Sequence, residues 1–207
     1  PKTSSAASDV YKRQILWDRL CHELFPSNTY HFNSGGDPEH IPDLSYQELR
    51  DFYAQHYHPS NAIFLTFGDI SAEAHQQIFE AQVLGRFEAL ERKIEVTLET
   101  PFTTPVQATH PYAVDAKEGT EKKTHLVMGW KLGESADLTA MLEAQLVSSV
   151  LMENSASPLM HYLETTDRGA APSPLCGLEE SMREMVFCCG IEGSEAEHAE
   201  AFEAEVL

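Results

Sequence analysis

Residues 30–69 read YHFNSGGDPEHIPDLSYQELRDFYAQHYHPSNAIFLTFGD, and the parsing of the whole chain starts from them. The run opens on a loop, Ser34-Gly35-Gly36-Asp37-Pro38. Its two glycines permit backbone angles, or a close approach to a ligand, that other residues resist. Ser45-x-x-Glu48 is a capping box, with Leu44 and Leu49 placed for a hydrophobic staple. The helix predicted after it carries Leu49, Phe52, Tyr53 and His56 on one face, and His58-Pro59-Ser60-Asn61 stops it. Residues 62–67, AIFLTF, predict a short buried strand, closed by a turn at Gly68-Asp69.

Reading towards the C-terminus, Ser71 caps a helix that runs to about Val83. Ile94, Val96 and Leu98 alternate and predict a strand. Residues 99–105, ETPFTTP, hold two prolines without a period and read as a linker. Beyond it Leu126, Met128, Trp130 and Leu132 alternate along a strand, and residues 133–135 turn. Asp137 caps a helix with Leu138, Leu142, Leu146 and Val150 on one side. Residues 154–158 break it, and a further helix carries Leu159 to Leu163. Residues 169–177 read as a loop, residues 185–191 as a strand, and Ser194-x-x-Glu197 as a second capping box before a helix with Ala199, Phe202 and Val206 on one side. Reading towards the N-terminus, Leu16, Leu20 and Leu24 have helical spacing, ended by Pro26. Residues 1–14 read as a flexible tail of non-native origin, because PKTSSAASDVYKR has neither a Met start nor a period and looks like translated adaptor sequence. The expected organisation is therefore residues 15–98 as the C-terminal part of a first domain, 99–105 as linker, and 106–207 as most of a second domain, truncated inside its last helix. Strands alternate with helices through irregular connections. This predicts an α+β class, one mixed or antiparallel sheet with helices packed on one face.

The formal net charge of -19 over 207 residues repels phosphate backbones and anionic membrane surfaces, so neither nucleic acid nor membrane is an expected partner. It reads as a solvated acidic surface. No apolar stretch is long enough to span a bilayer, and the first residues carry no signal-peptide pattern. Cys21, Cys176, Cys188 and Cys189 form no CxxC. They are expected as free thiols in a reducing compartment such as cytoplasm or an organelle matrix.

Ten histidines call for a metal check. His22-Glu23 begins the only His-Glu pair, and Pro26 stands where His-Glu-x-x-His needs its second histidine. For the inverted His-x-x-Glu-His, the Glu-His pairs are Glu39-His40 and Glu197-His198, and Gly36 and Ser194 hold the required histidine positions. His56-x-His58 straddles a helix end, so its imidazoles are expected to serve local structure rather than a metal. No Gly-x-Ser-x-Gly elbow, Walker loop or GxGxxG occurs. No catalytic residue and no metal ligand is therefore assigned.

Together these motifs resemble the insulinase/pitrilysin-like zinc metallopeptidases, most closely their presequence-protease-like branch. The resemblance rests on the Ser34–Pro38 loop, Ile41-Pro42-Asp43-Leu44, the capped helix, Tyr57-His58-Pro59-Ser60-Asn61, and the apolar run ending in Gly68-Asp69. In the second unit it rests on Asn154-Ser155-Ala156-Ser157-Pro158-Leu159 and on Gly177-Leu178-Glu179. It covers residues 15–207. The resemblance implies repeated α+β domains, and two halves that close around a peptide. It also implies a Zn²⁺ held by two histidines and a downstream glutamate, with a glutamate between the histidines activating water. In this family that motif lies N-terminal to the SGGDP loop, so none of its residues carries over. The expected function is an internal fragment of a zinc metalloendopeptidase that degrades oligopeptides, inactive alone, with no cofactor of its own. Its expected partners are peptide substrates of the parent and the missing N- and C-terminal domains. Ser34, Gly35, Gly36, Asp37 and Pro38 carry over only as a loop near the substrate chamber. The alternatives are a non-catalytic structural or binding subunit on the same fold, and an unrelated acidic interaction module. The first unit, without the strands that precede residue 15 in the family, is expected to expose an open sheet edge and an apolar face.

Overall fold

In the computed structural model, residues 5–91, 94–114 and 119–207 are described, with side chains of the first helix from Arg13 onward. In chain order the elements are α1 (Ser5–Leu24), α2 (Tyr46–His56), α3 (Ala72–Gln82), β1 (Thr124–Glu134), α4 (Leu138–Met152), α5 (Pro158–Thr165), β2 (Ala171–Pro172), β3 (Gly177–Glu179), β4 (Glu184–Ser194) and α6 (Ala199–Val206). The class is α+β. Contacts divide the chain into one unit made of the residues up to Ser34 with Thr97–Leu207, and a second made of Gly35–Val96.

The first unit is built on β4. Within its sequence EMVFCCGIEGS, the run from Met185 to Ile191 has no polar side chain, as expected of a strand covered on both faces. It pairs antiparallel with β1, Met128 opposite Cys189 and Trp130 opposite Phe187, and with the short β2 and β3. The strand order is β1-β4-β2, with β3 also on β4. A side chain added at Gly190 would sit 2.4 Å from the Leu126 carbonyl oxygen, so the two long strands approach closely only because that position has no Cβ. One face of the sheet carries Cys21, Leu24 and Phe25 from α1 and its end, with Met182, Val186 and Cys188. The other carries Met152, Leu163 and Phe202 from α4, α5 and α6, with Cys189 and Ile191. The expected helical layer is thus made by α4–α6, and α1 adds a layer on the opposite face.

Several sequence signals sit where they were expected. Ser45 and Glu48 form both halves of the capping box, Ser71 caps α3, and the Asp137 carboxylate accepts from the N–H groups of Thr139 and Ala140.

Other elements differ from expectation. The helix expected from residue 15 begins at Ser5, because Ala6, Ala7, Lys12, Arg13 and Gln14 are good helix formers that extend it without a hydrophobic period. Residues 1–4 of the expected tail lie outside the described residues. Residues 15–24 were grouped with the chain before residue 98, yet α1 packs on the sheet formed by the later residues. The strands expected at 62–67 and at Ile94, Val96 and Leu98 do not form among the described residues: a strand is stabilised by its neighbours, and these runs pair with none. Ser194 caps nothing. It is buried at the end of β4, and its Oγ donates to the Arg168 carbonyl at 2.5 Å, while α6 starts only at Ala199. The linker expected at 99–105 begins with a buried residue, Glu99. Residues 169–177, expected as loop, contain β2, which the Gly190 and Glu192 carbonyls anchor through the Ser173 and Ala170 N–H groups.

Candidate functional site

The SGGDP loop is the one segment to which the sequence attaches a functional expectation. Ser34 closes the first unit's N-terminal stretch, and Gly35, Gly36, Asp37 and Pro38 begin the second unit; all five are exposed. Gly36 has φ +80°, a left-handed conformation that an L side chain adopts only with strain. Asp37 then organises the turn that follows. Its Oδ1 accepts from the Glu39 N–H at 3.0 Å and its Oδ2 meets His40 Nδ1 at 2.9 Å. Its carbonyl accepts from the N–H groups of His40 and Ile41. The Glu39 N–H, then the His40 ring, hold the Asp37 carboxyl below the usual carboxylate range. The carboxylate is thereby spent on the turn. The loop can present backbone and a shaped surface, but it offers no free acid, base or nucleophile.

His56 and His58 serve local structure. His56 Nδ1 donates to the Phe52 carbonyl and its ring stacks on Phe52 at 3.8 Å. His58 Nδ1 accepts from the Ser60 N–H, and its ring meets Phe87 edge-on. These two imidazoles face different partners, as their position across a helix end predicts.

Sequence reasoning missed one cluster, because its members are far apart in the chain. In the first unit, the rings of His22 and His31 lie 3.8 Å apart at a 34° tilt, with His110 edge-on to His22 at 6.3 Å. His31 Nδ1 donates to the His22 carbonyl at 3.1 Å, and His110 Nε2 lies 2.9 Å from Glu23 Oε1. A zinc site needs nitrogens that converge on one point about 2 Å from each. The His22 and His31 rings face each other at a 34° tilt, and two of the cluster's nitrogens, His31 Nδ1 and His110 Nε2, are already engaged. Among the described residues no group of three or more His, Cys, Asp or Glu is placed to hold a metal ion. The cluster ties residues 29–31 and 110 to α1.

A second unforeseen site is a pair of buried carboxylates in the same unit. Glu99 accepts from the Ser27 N–H at 2.9 Å, the Ser27 Oγ at 2.6 Å and the Thr100 N–H at 3.1 Å, while its own N–H donates to Glu184 Oε2 at 2.7 Å. Burial alone pushes the Glu99 carboxyl up, but the Ser27 and Thr100 donors and the Lys131 charge hold it below its usual range. A carboxylate so supplied with donors is a structural anchor. The four cysteines are free thiols, and burial pushes those of Cys21, Cys188 and Cys189 up to about 12, so none is a nucleophile near neutrality.

Residues 43–207 match the family described as "Peptidase M16 inactive domain". The chain is 34% identical over 181 residues to the mitochondrial presequence protease of Danio rerio, which covers 87% of this chain and 18% of that protein. It is 31% identical to the mitochondrial presequence protease of Xenopus tropicalis over 92% of this chain and 19% of that protein. The corresponding figures for Aspergillus fumigatus are 35%, 95% and 20%. The chain therefore spans about a fifth of the length of these relatives.

Proposed function

The chain belongs to the peptidase M16 family, in the domain described there as inactive, and on that premise we propose that it serves as a non-catalytic part of a zinc metalloendopeptidase that degrades peptides. The observation that carries this reading is the similarity of most of the chain to mitochondrial presequence proteases about five times its length. Zinc hydrolysis of a peptide needs protein ligands that leave one coordination position open, and a base beside the metal-bound water. Neither His-Glu-x-x-His nor its inverse occurs in the sequence, and the His22, His31 and His110 cluster, two of whose nitrogens are already engaged, is not among the described groups placed to hold a metal ion. We assign no step of hydrolysis to these residues. In this reading the zinc and its base belong to other parts of a longer protein. The present residues supply packing and part of the wall around the peptide.

Ser34, Gly35, Gly36, Asp37 and Pro38 are the residues we place nearest that peptide. The support is their exposure and a backbone held in shape by Gly36 and by the Asp37 turn. Such a loop contributes main-chain groups and shape rather than acid–base chemistry. The substrates proposed are peptides, and the partners are further domains of the same protein. The compartment proposed is a reducing organelle matrix, as the mitochondrial relatives suggest.

The test is the gene. Codons preceding this chain that encode His-x-x-Glu-His followed by a spaced glutamate support the peptidase reading. If an intact open reading frame carries substitutions at those positions, the protein is a scaffold or binding subunit on a peptidase fold, and the peptidase proposal fails.

A further inference from the structure

Three imidazoles and one carboxylate of the first unit stand in a row. His22 on α1, His31 in the 3-10 turn Thr29–His31, and His110 are each partly buried. The His22 and His31 rings lie 3.8 Å apart, and His110 is edge-on to His22 at 6.3 Å. At the far end His110 Nε2 meets Glu23 Oε1 at 2.9 Å. Imidazole is the side chain whose charge changes between about pH 5 and pH 8, so the row gains charge across that range.

A proton on one ring of the stacked pair leaves a cation over a neutral aromatic face, which the contact tolerates. His31 takes its proton on Nε2, because Nδ1 already donates to the His22 carbonyl. Protons on both rings set two like charges against each other at the stacking distance. The neighbouring charges do not offset the second proton. Glu23 is engaged by His110, and Asp18, one helical turn before His22, accepts from Asn33 Nδ2 at 2.6 Å. Arg19, three residues before His22 on the same helix, is a further cation on that side. Separating the two rings removes the repulsion, so the separated form binds more protons and acid favours it.

The root of the turn is fixed without any histidine: Asn28 Nδ2 donates to the Thr97 carbonyl, and the Tyr30 hydroxyl accepts from the Arg183 N–H. Beyond Tyr30 the chain is exposed from Phe32 through Ser34 and runs directly into Gly35. The hydrogen bond from Asn33 to Asp18 is itself exposed and competes with water. We propose that His22 and His31 form an acid-sensitive latch: stacked above about pH 6.5 they hold residues 31–34 on α1, and protonated together they let that segment lift, loosening the entry to the loop at residues 34–38. That this loop lies near a peptide rests on the function proposed above. The latch does not, and it is tested without peptide, so either can fail while the other stands.

NMR of the full 207-residue chain between pH 7.5 and pH 5.5 tests this. At pH 7.5 the His22 and His31 rings should show mutual nuclear Overhauser contacts. At pH 5.5 those contacts should disappear and the amide signals of residues 31–34 should move with the same midpoint, while the Ser173 amide, which donates to the Gly190 carbonyl inside the sheet, stays in place. His31→Phe keeps an aromatic ring against His22 without a second charge, and its ring contact should persist at pH 5.5. His22→Phe should behave in the same way. Ring contacts that survive at pH 5.5 in the wild-type chain overturn the proposal, as do contacts already missing at pH 7.5. Loss of contact in both phenylalanine variants, or loss only together with the Ser173 signal as the sheet unfolds, also overturns it.

Discussion

Cys188 and Cys189 are adjacent in β4 and belong to different hydrophobic cores, Cys188 with Cys21, Leu24 and Phe25 on one face of the sheet, Cys189 with Met152, Leu163 and Phe202 on the other. Period-two alternation along a strand produces this division. Burial holds both thiols at about 12. Ellman's reagent at pH 8 should therefore leave Cys21, Cys188 and Cys189 unreacted in the folded chain and titrate all four thiols after denaturation. Fast labelling of Cys188 or Cys189 in native buffer contradicts the placement of β4 between two cores.

Gly190 lies opposite Val127 and lets β4 approach β1 closely. Gly190→Ala pushes a methyl group onto the Leu126 carbonyl and Val127, a backbone contact that no rotamer change relieves. The expected loss is about 3 kcal/mol, at the upper end of overpacking costs, read as a fall in the urea midpoint without a change in slope. A variant within about 0.5 kcal/mol of wild type shows that the strands are not this close.

Glu99 gives the fold an acid limb. Its folded carboxyl lies below the usual range, so the stability it contributes is fully present above its unfolded value, about 4.3. That contribution is lost as pH falls through the lower folded value. Between pH 6 and pH 3 the urea midpoint should decline in wild type and decline less in Glu99→Gln. At pH 7, Glu99→Ala leaves the Ser27 N–H and hydroxyl without their acceptor and should cost about 1–2 kcal/mol. Parallel pH profiles for wild type and Glu99→Gln contradict the role given to this carboxylate.

The two units should not melt together. None of the described residues of Gly35–Val96 is buried, whereas the buried hydrophobic residues all lie in the other unit. Regions with few buried apolar contacts open at low free energy. Limited trypsin digestion should cut first at Arg50 or Arg86, and a fragment containing β1 to α6 should persist. A single cooperative urea transition, with cleavage elsewhere first, counts against this.

Much of the local structure of both units could be read from the sequence. Asp137, Ser71 and the Ser45–Glu48 pair act within one helical turn, and their chemistry was visible in a few residues. The long strands were visible too, because Leu126, Met128 and Trp130 alternate and β4 is apolar from Met185 to Ile191. What depended on distant partners was not. AIFLTF has the composition of a strand, but a strand exists only where another strand lies beside it. Ser194-x-x-Glu197 has the form of a capping box, yet the Ser194 hydroxyl is taken by a carbonyl from residue 168. The His22, His31 and His110 cluster and the Glu99–Glu184 anchor join residues far apart in sequence, with no spacing signal to find them. In the candidate loop, the backbone freedom of Gly35 and Gly36 is legible from their type alone, but the spending of the Asp37 carboxylate on Glu39 and His40 emerges only from the geometry.

In the function proposed above, these residues alone neither hold a catalytic zinc nor hydrolyse a peptide. The most direct measurement combines zinc content after equilibrium dialysis with cleavage of a fluorogenic unstructured peptide by the same sample of the purified chain. The account predicts substoichiometric zinc removed by mild chelation, and no cleavage above buffer. One zinc per chain that survives chelation, together with turnover that is lost when the metal is stripped and restored when it is returned, contradicts it.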